Sequence, residues 1–265
     1  MLRKLIFALI AVASLGYGSV VGGLYAYQRD LIYPIPEPDD DMPSGYEPIS
    51  YRTSDNLELH AGFRARQDGK PVLLFFHGNG IDWKTAEFTA ELLGDRGYGV
   101  LAAEYRGYDG NPGGPSEEGL YLDGRAALAW LTERGISSAD IILAGNSLGS
   151  GVATELARTG QFKALVLISP MKSLVATAAN AYPYIPTDSM IEDRFENIAK
   201  IGEVTSPILI VHGVDDRLIP IEHARELAAA NPAAVLVEVP GAGHNLSPKE
   251  EGQLPQLEFL EGLGA

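Results

Sequence analysis

The pentapeptide Gly145-Asn146-Ser147-Leu148-Gly149 is the part of this chain best suited to chemistry. It follows the apolar stretch Ile141 to Ala144 and opens a predicted helix near Leu148. In that strand–turn–helix setting, glycines on both sides permit a strained turn that thrusts the serine hydroxyl outward. A serine is a poor nucleophile at neutral pH, so a base must take its proton and a carboxylate must orient the base.

Five histidines are available. His60 lies in an alternating strand, His223 on a predicted helix, and His77 and His212 precede glycines at the ends of apolar strands, so structural roles are expected for all four. His244 sits in the glycine-rich loop Gly241-Ala242-Gly243-His244-Asn245 after the last strand, where the backbone can aim an imidazole across a sheet edge, and it is the expected general base. With such an elbow the acid falls between serine and histidine in the chain, after a strand. Asp215 and Asp216 both qualify, and residue chemistry alone does not separate two adjacent aspartates.

A tetrahedral intermediate also needs backbone donors for its oxyanion, each contributing about 2.7 to 4 kcal/mol to lowering the barrier. The amide of Leu148 is one candidate. The other is expected from the small-residue loop His77-Gly78-Asn79-Gly80, with Asn79 as the donor.

These groups need a scaffold that brings loops from distant strands to one edge. Apolar bursts of strand length, Val72 to Phe76, Val100 to Ala103, Ile141 to Ala144, Ala164 to Ile168, Ile208 to Val211 and Val235 to Val239, alternate with longer amphipathic stretches. Uninterrupted apolar strands separated by helices predict a parallel sheet buried on both faces. The helices are expected over Trp83 to Arg96, Ser116 to Glu133, Leu148 to Arg158, Ile221 to Ala230 and Lys249 to Leu263. Leu57, Leu59, Ala61 and Phe63 alternate with polar residues, as in a half-exposed antiparallel edge strand. Between Pro170 and Thr205 the rhythm breaks around Tyr182-Pro183-Tyr184-Ile185-Pro186, where a short cap over the site is expected.

Leu5 to Tyr27 carries no charge and is about two dozen residues long, enough for a helix to cross a ~30 Å hydrocarbon core. Arg3 and Lys4 precede it, so the positive-inside bias predicts a cytoplasmic N-terminus, a single pass and a catalytic domain on the non-cytoplasmic side. The alternative is a signal peptide cleaved after Ala11-Val12-Ala13, giving a secreted protein. Gly18 and Gly22 carry the spacing of a helix-packing pair. Pro34, Pro36, Pro38 and Asp39-Asp40-Asp41 form an extended polar linker. The expected organisation is a membrane anchor over 1–28, a linker over 29–45 and a catalytic domain over 46–265, with the cap at about 170–205.

A net charge of −15 repels phosphate backbones and anionic surfaces and argues against nucleic-acid binding. Zero cysteines exclude disulfides, thiolate metal sites and a cysteine nucleophile.

The motifs resemble those of membrane-anchored α/β-hydrolase domain proteins related to the fungal bud-emergence hydrolases. The likeness runs through Gln28-Arg29-Asp30-Leu31-Ile32-Tyr33, His77-Gly78-Asn79-Gly80, Tyr105-Arg106-Gly107-Tyr108, Gly119-Leu120-Tyr121-Leu122-Asp123, the Ser147 elbow, Tyr182-Pro183-Tyr184, His212-Gly213-Val214-Asp215-Asp216 and Gly241-Ala242-Gly243-His244. It implies an α/β-hydrolase fold with a mostly parallel central sheet, helices on both faces and a short cap. It also implies a serine hydrolase acting on an ester, thioester or amide without a cofactor or metal. The family places its aspartate three residues after the glycine of the His-Gly pair, which selects Asp216. Asp109-Gly110-Asn111 departs from the family's Gly-x-Ser, so the shape of that loop is open.

The expected partners are a small-molecule or lipid-like acyl substrate and, through the N-terminal helix, a membrane. Two other readings share the scaffold: a catalytically silent tethered binding protein, and an acyltransferase using the same triad.

Overall fold

A computed structural model describes residues 1–37 and 41–264; Pro38, Asp39 and Asp40, part of the expected linker, lie outside the described residues. Eight strands form one sheet: β1 (Glu47–Arg52), β2 (Glu58–Arg64), β3 (Val72–Phe76), β4 (Gly99–Ala103), β5 (Ile141–Asn146), β6 (Ala164–Ile168), β7 (Ile208–Gly213) and β8 (Ala234–Val239), in the order β1-β2-β4-β3-β5-β6-β7-β8. From β4 to β8 every pairing is parallel, whereas β2 runs antiparallel to both β1 and β4. The alternating strand is therefore antiparallel as its pattern predicts, but it does not lie at the edge. That place belongs to β1, whose Pro48 and short alternating pattern gave no strand signal.

The central strands are apolar throughout because both faces are covered. In β3, Val72, Leu74 and Phe76 enter one core cluster with Leu120, Leu131 and Val152, while Leu73 and Phe75 enter the other with Trp83, Leu93, Leu257 and Leu260. Each such side chain contributes about 1.5 to 3 kcal/mol on burial. The covering helices include α3 (Glu117–Glu133), α4 (Gly149–Ala157), α5 (Leu174–Ala181), α6 (Glu222–Ala230) and α7 (Glu250–Gly262). Helix α3 starts where Ser116 accepts a hydrogen bond from the Gly119 amide. The helix expected over Trp83 to Arg96 is broken into a short turn over Trp83–Thr85 and two short helices, Ala86–Thr89 and Glu91–Asp95.

At the N-terminus, α1 (Leu2–Ala26) has no buried residue and is long and apolar enough to cross a membrane. A second helix, α2 (Gln28–Ile32), follows directly. It takes in Gln28, the last residue expected in the anchor, and the first residues expected as linker, yet Gln28 is buried and Tyr33 packs into the core. Residues 34–37 have no regular structure, as their prolines predict.

The Asp109-Gly110-Asn111 loop has a definite shape. Asp109 accepts from the indole of Trp83 at 2.9 Å, and Asn111 bonds both the amide and the carbonyl of His60, at 2.8 and 3.0 Å, stitching the loop to β2.

Candidate active site

The carboxyl ends of β5, β7 and β8 bring three of the sequence's candidates together. Ser147 follows β5 in the left-handed region, φ +50°, and its amide donates to the Ile168 carbonyl of β6 at 3.0 Å. That turn needs neighbours without side chains. A Cβ on Gly149 would stand 2.1 Å from the Phe76 carbonyl oxygen, backbone that cannot move aside.

Asp216 follows β7 and His244 follows β8. His244 Nε2 lies 3.0 Å from Ser147 Oγ and its Nδ1 lies 2.7 Å from Asp216 Oδ2. The other carboxylate oxygen of Asp216 accepts the amides of Leu218 and Ile219, each at 2.9 Å. Burial opposes ionisation of Asp216, but hydrogen bonds from His212, His244 and the Ile219 amide outweigh it and hold the carboxyl well below the usual range. Asp215, the alternative, is exposed, with its amide tied to the Ala242 carbonyl at 2.9 Å. The backbone of the histidine loop is fixed by Ser169, whose hydroxyl donates to the His244 carbonyl at 3.1 Å.

Of the remaining histidines, His212 alone touches these residues. His60 is exposed on β2. His223 is buried and accepts from the Lys172 amide at 3.2 Å, and burial together with nearby Lys172 pushes its pKa down to about 4. His212 is buried beneath the site, 2.8 Å from the Ile219 carbonyl and 3.3 Å from Asp216. Sequence reasoning gave His212 no part in the site, although its four-residue separation from Asp216 at a strand end was the available signal.

Asn79 and Leu148 both line the cavity that opens onto Ser147, an empty space of 830 Å³. Gly78 lets the Asn79 loop approach the elbow, since a Cβ there would already be 3.4 Å from the Cβ of Ser147. The loop is pinned from the N-terminal side, where the Asn79 side-chain amide donates to the Ile32 carbonyl of α2 at 3.3 Å. Met171, Leu174, Ala178 and Leu218 make the rest of the cavity largely apolar. Among the described residues no group of three or more His, Asp or Glu is placed to hold a metal. Chemically, the arrangement joins a hydroxyl, an imidazole and an ionised carboxylate in one hydrogen-bonded line beside an apolar space.

Comparison with known proteins gives the same frame. Residues 73–197 match the model of the alpha/beta hydrolase family, and residues 185–253 match a model described as TAP-like protein. A protein of Mycobacterium tuberculosis is 36% identical over 89% of this chain and 87% of its own length. The human alpha/beta hydrolase domain-containing protein 17B is 35% identical over 73% of this chain and 67% of its own. This chain belongs to the α/β-hydrolase family. Among solved structures, an esterase of Pyrococcus furiosus superposes on this α/β-hydrolase with a TM-score of 0.65, covering 88% of this chain and 97% of the esterase at 22% identity. At that identity the likeness speaks to the fold alone. The α/β-hydrolase architecture explains why candidate groups from β5, β7 and β8 converge, since ligands of open α/β sheets bind outside the carboxyl ends of the strands.

Proposed function

We propose that the chain is a membrane-anchored serine hydrolase that cleaves an acyl ester, thioester or amide through Ser147, His244 and Asp216. The observation that carries this reading is the unbroken line from Ser147 Oγ through the His244 ring to Asp216, with contacts of 3.0 and 2.7 Å and the serine in a left-handed turn.

In the proposed reaction His244 Nε2 accepts the Ser147 proton as Oγ bonds to the acyl carbon, and the carbonyl electrons move onto oxygen. Asp216 holds the imidazole tautomer and stabilises the imidazolium. The amides of Leu148 and Asn79 receive the oxyanion. Collapse breaks the bond to the leaving group, which takes the proton from His244. Water then repeats the sequence on the acyl-enzyme and releases the acid. No cofactor is required. Helix α1 serves as a single-pass anchor with Arg3 and Lys4 on the cytoplasmic side and the hydrolase domain on the other.

The test is labelling of the full chain with a fluorophosphonate, followed by peptide mapping, alongside Ser147→Ala. One adduct on Ser147, absent from the variant, is expected together with loss of ester turnover. Full turnover in Ser147→Ala, or no adduct on a folded sample, would overturn the reading and favour a silent binding protein.

A further inference from the structure

We propose that α1 and α2 form one wall of a lateral entrance through which an acyl chain of a zwitterionic bilayer lipid reaches Ser147. This deepens the hydrolase reading above and rests on it for the chemical step.

The cavity at Ser147 shares a wall with a neighbouring one. Leu31, Ile32, Ala178 and Tyr182 line both that cavity and the second one beside it. The second runs between the foot of α1, at Leu24 and Tyr25, and the cap, at Ile185, Met190 and Ile191. The polar groups of Gln28 and Tyr25 are occupied elsewhere. The Gln28 amide donates to the Tyr25 carbonyl at 3.1 Å and its oxygen accepts the Glu192 amide at 3.0 Å, while the Tyr25 hydroxyl donates to Glu192 at 3.0 Å. Apart from the hydroxyls of Thr187 and Tyr182, what remains of the lining is hydrocarbon and carries no charged side chain, which suits an alkyl chain.

The height of this passage follows from two hydrogen bonds. Tyr25 is tied to Glu192, and Tyr17 donates to the Tyr184 carbonyl at 2.8 Å. Eight residues of helix separate the two tyrosines, a rise of roughly 12 Å. A hydrocarbon core needs about twenty residues of the run from Leu5 to Tyr27, which places Tyr17 well below the surface of the bilayer that α1 spans. The cap tip, bonded to Tyr17, therefore reaches past the interface into the hydrocarbon layer beside the helix. Its exposure agrees: Tyr184 is 87% and Tyr182 46% exposed, and Leu218 at the cavity mouth is 48% exposed. The charge of −15 disfavours anionic headgroups and selects a zwitterionic lipid.

The experiment uses the full chain reconstituted in phosphatidylcholine vesicles and has two arms. In the first, Ser147→Ala is irradiated with a phosphatidylcholine bearing a diazirine on its acyl chain, and adducts are mapped. Adducts on the peptides spanning residues 24–32 and 178–191 are expected. Adducts confined to α1, as any spanning helix would acquire, with none on the peptide spanning residues 178–191, overturn the proposal. This readout does not require turnover.

In the second arm, p-nitrophenyl butyrate, octanoate, laurate and palmitate are compared for the wild-type chain, Met190→Trp and Ile191→Phe. Filling the outer cavity should lower the palmitate-to-butyrate rate ratio by about tenfold for every two methylenes excluded. An unchanged ratio in both folded variants overturns the lateral entrance. Failure of the parent reading looks different: no ester is turned over and no fluorophosphonate adduct forms, while the lipid adducts still decide the route.

Discussion

His77 and Glu104 form a fully buried pair, with ring Nε2 2.6 Å from the carboxylate, and the other ring nitrogen lies 2.7 Å from the Gly78 carbonyl. With acceptors facing both nitrogens, the imidazolium is the form that satisfies them. Burial works against the charge, but Glu104 and the Gly78 carbonyl outweigh it and raise the pKa above 6.5. Stability from the pair is therefore complete below the unfolded value of 6.5 and is lost as pH rises through the higher folded one. Glu104→Gln is expected to cost about 3 to 5 kcal/mol in denaturant unfolding below that window and less above it. A pH-independent difference would show that the ring is neutral.

Asp216→Asn should lower kcat about ten-thousandfold with little change in KM, because an asparagine leaves the His244 tautomer unspecified. The depressed carboxyl also contributes stability that is present above 3.8, the ordinary value, and is lost as pH falls through the still lower folded one. Acid unfolding of Asp216→Asn should accordingly be flatter than that of the wild type. Equal acid limbs would contradict the origin assigned to the shift.

Both Ser147→Ala and Ser147→Gly should lose ester hydrolysis, but they should differ in stability. At φ +50° an alanine keeps the left-handed penalty, whereas glycine relieves it at some entropic cost. Thermal unfolding should find the glycine variant more stable by up to about 1 kcal/mol.

Gly149→Ala drives a Cβ to 2.1 Å from the Phe76 carbonyl oxygen and should cost about 1 to 3 kcal/mol while opening the Ser147 turn. Gly160→Ala meets only the Phe162 ring, at 3.6 Å, and should stay within about 0.5 kcal/mol of wild type. Comparing urea midpoints and fluorophosphonate labelling rates of the two separates the elbow from a generic glycine effect.

The absence of cysteine allows a direct test of orientation. A single Asp68→Cys should react with a membrane-impermeant maleimide added to the non-cytoplasmic side, and a single Leu2→Cys only after the membrane is opened. The reverse pattern would invert the proposed topology.

The buried strands were legible because burial on both faces leaves an uninterrupted apolar run. The expected bounds of Val72 to Phe76 and Ala164 to Ile168 coincide with β3 and β6. β1 escaped because an edge strand with Pro48 needs only alternate contacts. The break near Ala90 could not be read from Trp83 to Arg96, since helical periodicity continues across it. Ser147 and His244 were identifiable as candidates from glycine-rich turns at strand ends. The choice between Asp215 and Asp216 came from resemblance, and the structure separates them by burial and bonding. The His77–Glu104 pair was illegible for a different reason: its partners are 27 residues apart and meet only because β3 and β4 are adjacent and parallel. The packing of α2 against the cap was hidden likewise, since Gln28 meets Glu192 across 164 residues.

Ser147 and His244 stand 97 residues apart in the chain. A chain leaving the ribosome therefore carries the hydroxyl well before β8 and the His244 loop exist, and over that interval the His244 imidazole is not at hand to take its proton. On the proposed mechanism, a nascent chain already threaded into a bilayer would be silent toward the lipids around it. Under that proposal hydrolysis would begin only once the His244 loop is made and folded onto the sheet, so drawing one site from distant stretches would act as a biosynthetic interlock.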